Sequence, residues 1–347
     1  MSNPYKYLLV YSLPLTAAMS FSMHGIFTYA PVILAFVIIP SLELVFKPDA
    51  SNLSEDELQR VSKNRLYDWF IYLILPIQWL ALIWFLFSIQ ETGLSTLEMI
   101  GRISGYGMLC GVLGINVAHE LGHRVKSHEK FMAKGLLLST LYLQFYIEHN
   151  KGHHKNVGTP IDPTTARMGE WLPAFWFRSI SNVYLNAWKI SNKECKRKNG
   201  TTFSFKNEML IYQLLELVLV LTILFVFGYK VMLYYLAAAF IGALLLETVE
   251  YIEHYGLTRS KLNAFRHEDT NPKHSWNSNH LVGRLFLFEL SRHSDHHYKA
   301  YKKYPTLENH LESPQMPTGY PGMMILAAIP PLWFKIMNPR VEAVAKN

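Results

Sequence analysis

Long apolar segments alternate with short polar connections along most of the 347-residue chain. Each segment is close to the ~20 residues that a helix needs to cross the hydrocarbon core of a bilayer. The pattern predicts an all-α membrane protein with about six transmembrane helices, folded as a single domain over residues 1–347. The predicted spans are residues 5–23, 26–46, 68–89, 98–118, 209–228 and 231–251.

Three further segments are predicted to be helical without crossing the membrane. The apolar stretches 135–147 and 281–290 are too short to span and are expected to tuck against the bundle. Within the polar connection 48–66, Ser54 and Glu57 have the spacing of a capping box, which predicts a surface helix between the second and third spans.

The connections differ in charge. Those near residues 24, 91–98 and 228–230 hold one Lys and no Arg, whereas the alternate connections are rich in both. The positive-inside rule then places both termini in the cytoplasm. A secretory signal peptide is the competing interpretation of residues 1–24, but the next apolar segment follows at once, which favours a retained helix. Arg102 lies near the outer end of the fourth span, and its side chain is expected to reach the interface.

The net charge of +7 and the pI of about 9.1 raise the question of nucleic acid binding. The basic residues are spread over the predicted cytoplasmic loops without a recognition motif, so topology and attraction to anionic membrane lipid explain them. We expect a membrane partner and no nucleic acid.

Nine of the fifteen histidines fall into four clusters, each at the end of an apolar stretch and each on the predicted cytoplasmic side. So many imidazoles at one depth exceed what a single tetrahedral zinc would use, and the count indicates two metals. The clusters are His119-Glu-Leu-Gly-His123, His149-Asn-Lys-Gly-His153-His154, the single His254, and His293-Ser-Asp-His296-His297.

Helical spacing supports a shared site. Residues four apart lie on one face of an α-helix, so His119 is expected to pair with His123 and His149 with His153, while His293 pairs with both members of the His296-His297 doublet. Neighbours such as His153 and His154 point about 100° apart. They are able to serve different metals or opposite sides of one centre.

Two other classes of protein compete with a dinuclear site. His119-Glu-Leu-Gly-His123 on its own is the zinc protease signature, in which Glu120 would be the general base. A zinc protease needs one further ligand and leaves six histidines unexplained. A transporter or metal-storage protein is the other alternative, but the sequence has no internal repeat of the kind that transporters usually show.

The histidine pattern resembles the membrane-bound di-iron superfamily of fatty acid desaturases and hydroxylases, and the longer strings resemble its integral-membrane alkane 1-monooxygenases. The chain departs from the usual pattern of that family in three ways: Glu250 stands where it has Asn, Ser291 where it has Gln, and Pro305 and Glu308 follow Tyr304 differently. The matching strings are His119-Glu-Leu-Gly-His-Arg124, Glu148-His-Asn-Lys-Gly-His-His154, Thr159-Pro-Ile-Asp-Pro163, Glu253-His-Tyr-Gly-Leu257, His274-Ser-Trp-Asn277 and Arg292-His-Ser-Asp-His-His297.

The resemblance implies nine ligands to two irons: His119, His123, His149, His153, His154, His254, His293, His296 and His297. A ligating imidazole usually donates its other N–H to an acceptor that orients it. The carboxylates expected in that role, or as a bridge between the metals, are Glu120, Glu148, Glu250, Glu253 and Asp295. Asp162 precedes a proline and is interpreted as a turn residue.

The six remaining histidines have less specific interpretations. His24, His128, His267 and His310 are expected to be solvated, and His274 and His280 either orient ligands or make structural hydrogen bonds.

The same resemblance implies an O2-dependent enzyme that hydroxylates the terminal carbon of medium- to long-chain n-alkanes to 1-alkanols. A hydroxylase of aromatic methyl groups, as in xylene monooxygenase, and a fatty acyl desaturase are the alternatives. Attack at a methyl end requires a channel that presents it end-on. Phe36 and Trp79 are candidates for its floor or gate, with ordinary packing as the favoured interpretation of both.

Such chemistry needs two electrons from a separate carrier. The sequence has no Cys-x-x-Cys iron site, no haem motif and no dinucleotide fingerprint, so no bound flavin, haem or nicotinamide is expected. The resemblance implies rubredoxin, or ferredoxin, with an NAD(P)H-dependent reductase, in a bacterial inner membrane. Candidate docking charges are Lys299, Lys302, Lys303 and the run Lys196-Arg197-Lys198.

Overall fold

The computed structural model describes residues 3–264 and 266–346, and within these ranges the chain is helical with no β-strand. Short 3₁₀ turns cover Pro4–Tyr11, Pro272–His274 and Tyr304–Thr306. The helices are α1 (Ser12–Ser22), α2 (Gly25–Val45), α3 (Glu55–Lys63), α4 (Leu66–Ser88), α5 (Thr96–Gly122), α6 (Ser127–Ser139), α7 (Gln144–Glu148, continued by His149–His153 and His154–Asn156), α8 (Leu172–Arg197), α9 (Glu208–Phe227), α10 (Tyr229–His254), α11 (Leu281–Phe286), α12 (His293–Tyr298), α13 (Tyr320–Ala327) and α14 (Pro330–Lys346).

Five of these helices, α2, α4, α5, α9 and α10, are long and apolar enough to cross a membrane. They match the second to sixth predicted spans, which confirms a multi-pass membrane protein. The pair α13 and α14 would make a sixth candidate, but a bend of 119° separates its two halves. The predicted surface helix is α3, and its capping box is present between Ser54 and Glu57.

The first predicted span, residues 5–23, is not among the candidate membrane spans, because Lys6 and several tyrosines make it less apolar. It still runs the length of the bundle. At its start, Lys6 and Tyr7 bind the Glu289 carboxylate near the histidine clusters. At its far end, the Met23 carbonyl accepts a hydrogen bond from Arg102. This segment therefore packs as a helix of the bundle, with its polar residues turned toward protein partners.

Residues 127–156 form a hairpin of two helices that enters the bundle and turns back. The tip lies between α6 and α7, where Leu141 has a left-handed φ of 52°. The Ser139 carbonyl accepts hydrogen bonds from the hydroxyls of Tyr106 and Tyr235, at 3.2 and 3.1 Å. Irregular backbone is tolerated at membrane depth only where protein satisfies its polar groups, and these two tyrosines do so. The prediction that 135–147 does not cross is thus confirmed.

Contrary to the prediction, the side chain of Arg102 does not extend out of the protein. Its side chain is fully buried at the end of the bundle opposite the histidines, where it donates to the Ser88 carbonyl at 2.6 Å and pairs with Glu91 at 2.8 Å. A buried guanidinium is stabilised when acceptors surround it, and the carbonyls of Ser88 and Met23 and the Glu91 carboxylate accept from Nη1 and Nη2 here, while Nε has no partner among the described residues. His24, expected to be solvated, also lies 3.1 Å from Glu91.

The C-terminal third covers the histidine end of the bundle. Tyr251 in the last turn of α10 and Tyr255 directly after it pack against Trp333 of α14, with ring centroids 5.2 and 5.1 Å from that of Trp333. The Tyr255 hydroxyl donates to Asn338 at 2.7 Å. This aromatic cluster holds the end of α10, and with it His254, in a fixed position.

Candidate metal centre

Four helices bring the nine predicted ligand histidines to one end of the bundle. His119 lies in the last turn of α5 and His123 directly follows that helix. His254 is the last residue of α10, while α7 and α12 carry the remaining six. Seven of the rings are buried, and His123 and His154 are partly buried. The four sequence clusters, separated by up to about a hundred residues of chain, thus form one cluster in space.

The ring nitrogens form two groups, in each of which the candidate ligand atoms lie within 4.8 Å of one another. The adjacent residues His153 and His154 fall in different groups. One group is His119, His123, His149, His154 and His296; the other is His153, His254, His293 and His297. Of the two options that the sequence left open, the separation favours the one in which neighbouring histidines serve different metals.

A π-helical turn over His149–His153 sets this division. In a π-helix, residues five apart share a face, and the His149 Nε2 atom lies 3.0 Å from that of His154. The α-helical spacing used in the sequence analysis pairs His149 with His153 instead. On α12 the spacing is α-helical, so His293 shares its group with His297 and not with His296.

The Nε2 atoms of the rings face one another across each group. In the first group, the Nε2 atoms of His119 and His296 are 2.8 Å apart. In the second group, the Nε2 atoms of His153 and His297 are 3.2 Å apart, and so are those of His254 and His293. The Nε2 atom of His123 is buried without a hydrogen-bond partner.

Burial lowers the pKa of six of these imidazoles and so disfavours their protonated form. It lowers the pKa of His123 to about 3, with a smaller contribution from the charge of His153. Burial, followed by the charges of neighbouring rings, also lowers the pKa of His149, His154, His293, His296 and His297 well below the ordinary value. Neutral rings that direct Nε2 lone pairs at one another leave those atoms unsatisfied unless a cation lies between them. The donor set therefore fits two first-row transition metal ions.

Asp162 is a residue that the sequence analysis assigned to a turn and that the structure brings to the site. Both of its carboxylate oxygens lie 3.1 Å from Nδ1 of His153, and the Thr164 hydroxyl is 2.6 Å from the same nitrogen. The Thr165 hydroxyl donates to the carboxylate at 2.6 Å. Burial would raise the pKa of Asp162, but His153 and Thr165 outweigh it and lower the pKa, so the carboxylate is an anionic acceptor. The position of Asp162 in the string Thr159-Pro-Ile-Asp-Pro163 was the sequence signal that could have indicated a role at the site.

Glu253 is the predicted carboxylate that lies behind a ring. Its Oε1 atom is 3.2 Å from Nδ1 of His293 and accepts a hydrogen bond from the Tyr320 hydroxyl at 2.6 Å. The Ser275 hydroxyl lies 3.5 Å from Nδ1 of His254. Tyr320 and Ser275 did not emerge from the sequence analysis, because neither residue type indicates metal chemistry.

Glu250 lies on the inner side of the rings. Its Oε2 atom is 3.5 Å from Nε2 of His153 and 3.7 Å from Nε2 of His254, and Oε1 is 3.7 Å from Nδ1 of His149. The carboxylate faces the same space as the Nε2 atoms of the second group. It is placed to contact a cation there.

The other three predicted carboxylates turn away from the ring nitrogens. Glu120 accepts hydrogen bonds from Arg124 at 2.8 Å and from the Tyr304 backbone at 3.1 Å. Asp295 accepts from Lys302 at 2.8 Å and lies 2.7 Å from His310. Glu148 is buried with one unpartnered oxygen. Glu120 and Asp295 therefore anchor the helices that carry the histidines.

The remaining histidines lie outside the two groups. His128 and His267 lie at the surface or partly exposed, as expected. His274 is 3.3 Å from Glu268, and His280 is 3.1 Å from the Ser278 hydroxyl, so both make structural contacts through their rings. His310 is not simply solvated, because it binds Asp295.

An apolar cavity leads to the two groups. Its volume is about 80 Å³, and its lining includes His119, Glu250 and Glu253. Phe36 of α2 is part of the wall, as predicted. Trp79 is not part of it: its indole N–H donates to the Gly135 carbonyl at 3.1 Å, which is a packing role against α6.

Two of the three predicted docking lysines near α12 are already paired. Lys302 binds Asp295 and Glu308, and Lys303 binds Asp68 at 2.8 Å. Lys299 lies over the ring of Tyr298, 5.2 Å from its centroid. Lys299 is therefore the member of this trio without an ion pair among the described residues.

Residues 100–326 match the fatty acid desaturase family. The chain is similar to an alkane 1-monooxygenase of Ectopseudomonas oleovorans, at 37% identity over 91% of this chain and 79% of that protein. It is also similar to alkane 1-monooxygenase 1 of Pseudomonas aeruginosa, at 38% identity over 93% of this chain and 85% of that protein. A more distant similarity, 28% over 70% of the chain, is to the hydroxylase component of a xylene/toluene monooxygenase of Pseudomonas putida.

These similarities cover the helices that carry all four histidine clusters and extend over most of the chain. They agree with the two groups of imidazoles at the end of a multi-pass helical bundle. The chain therefore belongs to the fatty acid desaturase family and, within it, to the membrane-bound alkane 1-monooxygenases.

Proposed function

We propose that this protein hydroxylates the terminal carbon of medium- to long-chain n-alkanes, giving 1-alkanols. One O2 and two electrons are consumed, with two protons, and the second oxygen atom leaves as water. The observation that carries the proposal is an apolar cavity that ends on His119 and Glu250. An unsubstituted hydrocarbon offers no group for hydrogen bonding, so such a cavity binds it by excluding water from apolar surface.

Two iron ions, one in each group, fit the donor set, and the nine histidines would hold them through Nε2. When bound, the irons supply the activation of O2 that side chains cannot perform. Glu250 would contact the metal of the second group. The lowered pKa of six of the buried imidazoles suits this role, because only a neutral ring has a lone pair to donate.

Orientation of the rings would come from the groups behind them. Asp162 accepts the Nδ1 proton of His153, which leaves Nε2 free to face the metal. Glu253 lies 3.2 Å from Nδ1 of His293, where its charge would favour a proton on that nitrogen, and it is itself held by Tyr320. Since Tyr320 and Glu253 also line the cavity, the cavity wall and the metal centre share residues.

Terminal selectivity would come from the shape of the cavity. A terminal C–H bond is stronger than an internal one, so free competition would favour internal attack. Phe36 and Ile39 of α2 and Met324 of α13 restrict the cavity on its apolar side. A chain that lies lengthwise between them presents only its methyl end to His119 and Glu250.

Electrons would reach the centre from a soluble carrier, rubredoxin or ferredoxin, reduced by an NAD(P)H-dependent reductase. Tyr298 and Tyr301 are 46% and 73% exposed, and together with the half-buried Lys299 they form a surface next to His296 and His297. An acidic carrier would be attracted to Lys299 at this surface. We place both termini and the metal centre on the cytoplasmic side of a bacterial inner membrane, from the distribution of Lys and Arg.

The test is a product assay on purified protein with measured iron content. Rubredoxin, its reductase and a series of n-alkanes would give primary alcohols if the proposal holds, with activity proportional to bound iron. If the protein instead converted methylarenes to benzylic alcohols and left alkanes unreacted, its specificity would be that of a xylene/toluene monooxygenase, like the Pseudomonas putida relative. A double bond formed in an acyl chain would assign a desaturase.

A further inference from the structure

A groove on the outer face of α8 is lined by Lys189, Asn192, Lys193, Lys196 and Arg197. The four cations occupy successive turns of one helix, and all four are exposed. On a helix the positions i, i+4 and i+7 share a face, so their charges converge on one strip of surface.

Acidic side chains close to the groove in sequence are engaged elsewhere. Glu194, within the same turns of α8, pairs with Lys151 at 2.7 Å. Glu208, at the start of α9, pairs with Lys134 at 2.8 Å. Among the residues that the structure describes, none of the four groove cations forms an ion pair, so the groove keeps a net charge of about four.

The groove lies at the level where a membrane span begins. The Ser191 hydroxyl of α8 accepts a hydrogen bond from the backbone of Met209 at 3.0 Å, and Asn207 donates to Asn192 at 2.8 Å. These contacts fix α8 across the first turn of α9. Of the five candidate spans, α9 has the smallest fraction of residues buried inside the protein, 17%. The surface of α9 therefore faces lipid, and the groove lies at the headgroup end of that surface.

Two exposed aromatic side chains mark the same level. Phe203 and Phe205, in the connection between α8 and α9, are 85% and 78% exposed. Large apolar side chains next to the start of a span are stable when they enter the interfacial region of a bilayer. Cations one or two helical turns away then lie at the depth of the lipid phosphates.

We propose that this groove is a binding site for the headgroup of an anionic phospholipid. Lys189 and Lys193 donate to the phosphate, Asn192 and Arg197 add hydrogen bonds to its oxygens or to the polar headgroup, and the acyl chains lie along α9. A soluble acidic protein is the other anionic partner to consider. It would have to reach the groove past Phe203 and Phe205, at a depth that headgroups occupy, and this favours the lipid.

The test compares phosphatidylglycerol with phosphatidylcholine of the same acyl chains, added to delipidated protein, with the retained lipids counted by native mass spectrometry. The variant is Lys189→Gln with Lys193→Gln. The control is Arg60→Gln with Lys63→Gln on α3, which removes the same charge from exposed positions beside Asp56. A basic residue near the membrane surface contributes roughly fivefold to the binding of anionic lipid, so the variant should lose phosphatidylglycerol preference by about tenfold or more.

The proposal is supported if the variant loses that preference while the control keeps it. It is overturned if both pairs lose it equally, which would mean general charge attraction, or if neither loses it. A rise in KM for a reduced carrier in the variant, with lipid retention unchanged, would also overturn it in favour of a protein partner. The melting temperature in phosphatidylcholine checks folding, and the lipid count needs neither iron nor alkane, so the result is independent of the proposed function.

Discussion

The carboxylate of Asp162 lies behind the imidazole of His153, with both oxygens 3.1 Å from Nδ1, while Nε2 of the same ring faces His297 at 3.2 Å. A ring held in this way has a defined tautomer, with its proton on the outer nitrogen and its lone pair directed inward. The acidic partner sits on a loop, nine residues after the histidine that it orients.

Asp162→Asn should therefore weaken metal retention rather than unfold the protein. Loss of a carboxylate behind a ligating ring costs about 10- to 100-fold in metal affinity or activity. Iron per protein after dialysis against a graded chelator, and the Mössbauer spectrum, would show it, and Asp162→Glu should restore part of the loss. Asp269→Asn, at an exposed acid, is the control. Unchanged iron retention in Asp162→Asn would remove the positioning role.

One histidine from each group tests the ligand assignment. His149→Ala and His297→Ala should each abolish hydroxylation and lower the iron content, because each removes a nitrogen that faces the other members of its group. His128→Ala should do neither, since His128 lies at the surface. His310 is a poorer control because of its contact with Asp295. Full activity in His149→Ala would exclude that residue as a ligand.

Phe36 and Trp79 give a matched pair for the cavity. Phe36→Ala should move the preferred alkane to a longer chain, because the ring is part of the cavity wall. A methylene in an apolar pocket changes kcat/KM by roughly tenfold or more, so the shift would be evident in a chain-length series. Trp79→Phe should leave the profile unchanged and affect only packing, since its indole contacts Gly135. A profile moved by Trp79→Phe but not by Phe36→Ala would contradict the assignment.

The hairpin tip offers a test of packing. A Cβ atom added at Gly114 would collide with Cγ2 of Thr140, so Gly114→Ala should destabilise the protein by about 1–3 kcal/mol. Thr140→Ser removes that methyl group and keeps the hydroxyl bound to the Leu137 carbonyl. The double variant should recover most of the loss in melting temperature. A double variant no more stable than Gly114→Ala would show that the tip does not pack against α5 in this way.

The carrier surface is tested by charge reversal. Lys299→Glu should raise KM for reduced rubredoxin several-fold at low ionic strength, and the difference from the unaltered protein should shrink as salt is added. Lys346→Glu, at the far end of α14, makes the same charge change outside this surface. Steady-state kinetics at two salt concentrations would decide, and equal effects of the two substitutions would rule out docking at Lys299.

The membrane spans and the histidine clusters could be predicted from the sequence, because each depends on residues that are close together in the chain. A run of about twenty apolar residues has few stable states other than a membrane helix, and four histidine clusters at the ends of apolar stretches identify the metal chemistry. The hairpin could be predicted only in part. The apolar stretch 135–147 is too short to cross the membrane, but the turn at Leu141 has no strong signal in the sequence.

The sequence by itself determined the helical membrane fold, the family and the set of histidines that meet, since hydropathy and residue spacing are properties of neighbouring positions. The tertiary structure decided how those histidines divide, because a π-helical turn at His149–His153 moves His154, and not His153, beside His149. It also decided that Asp162 and Glu250 contact the rings while Glu120 and Asp295 bind Arg124 and Lys302. Contacts between distant segments depend on how helices pack and turn, and no local pattern encodes them.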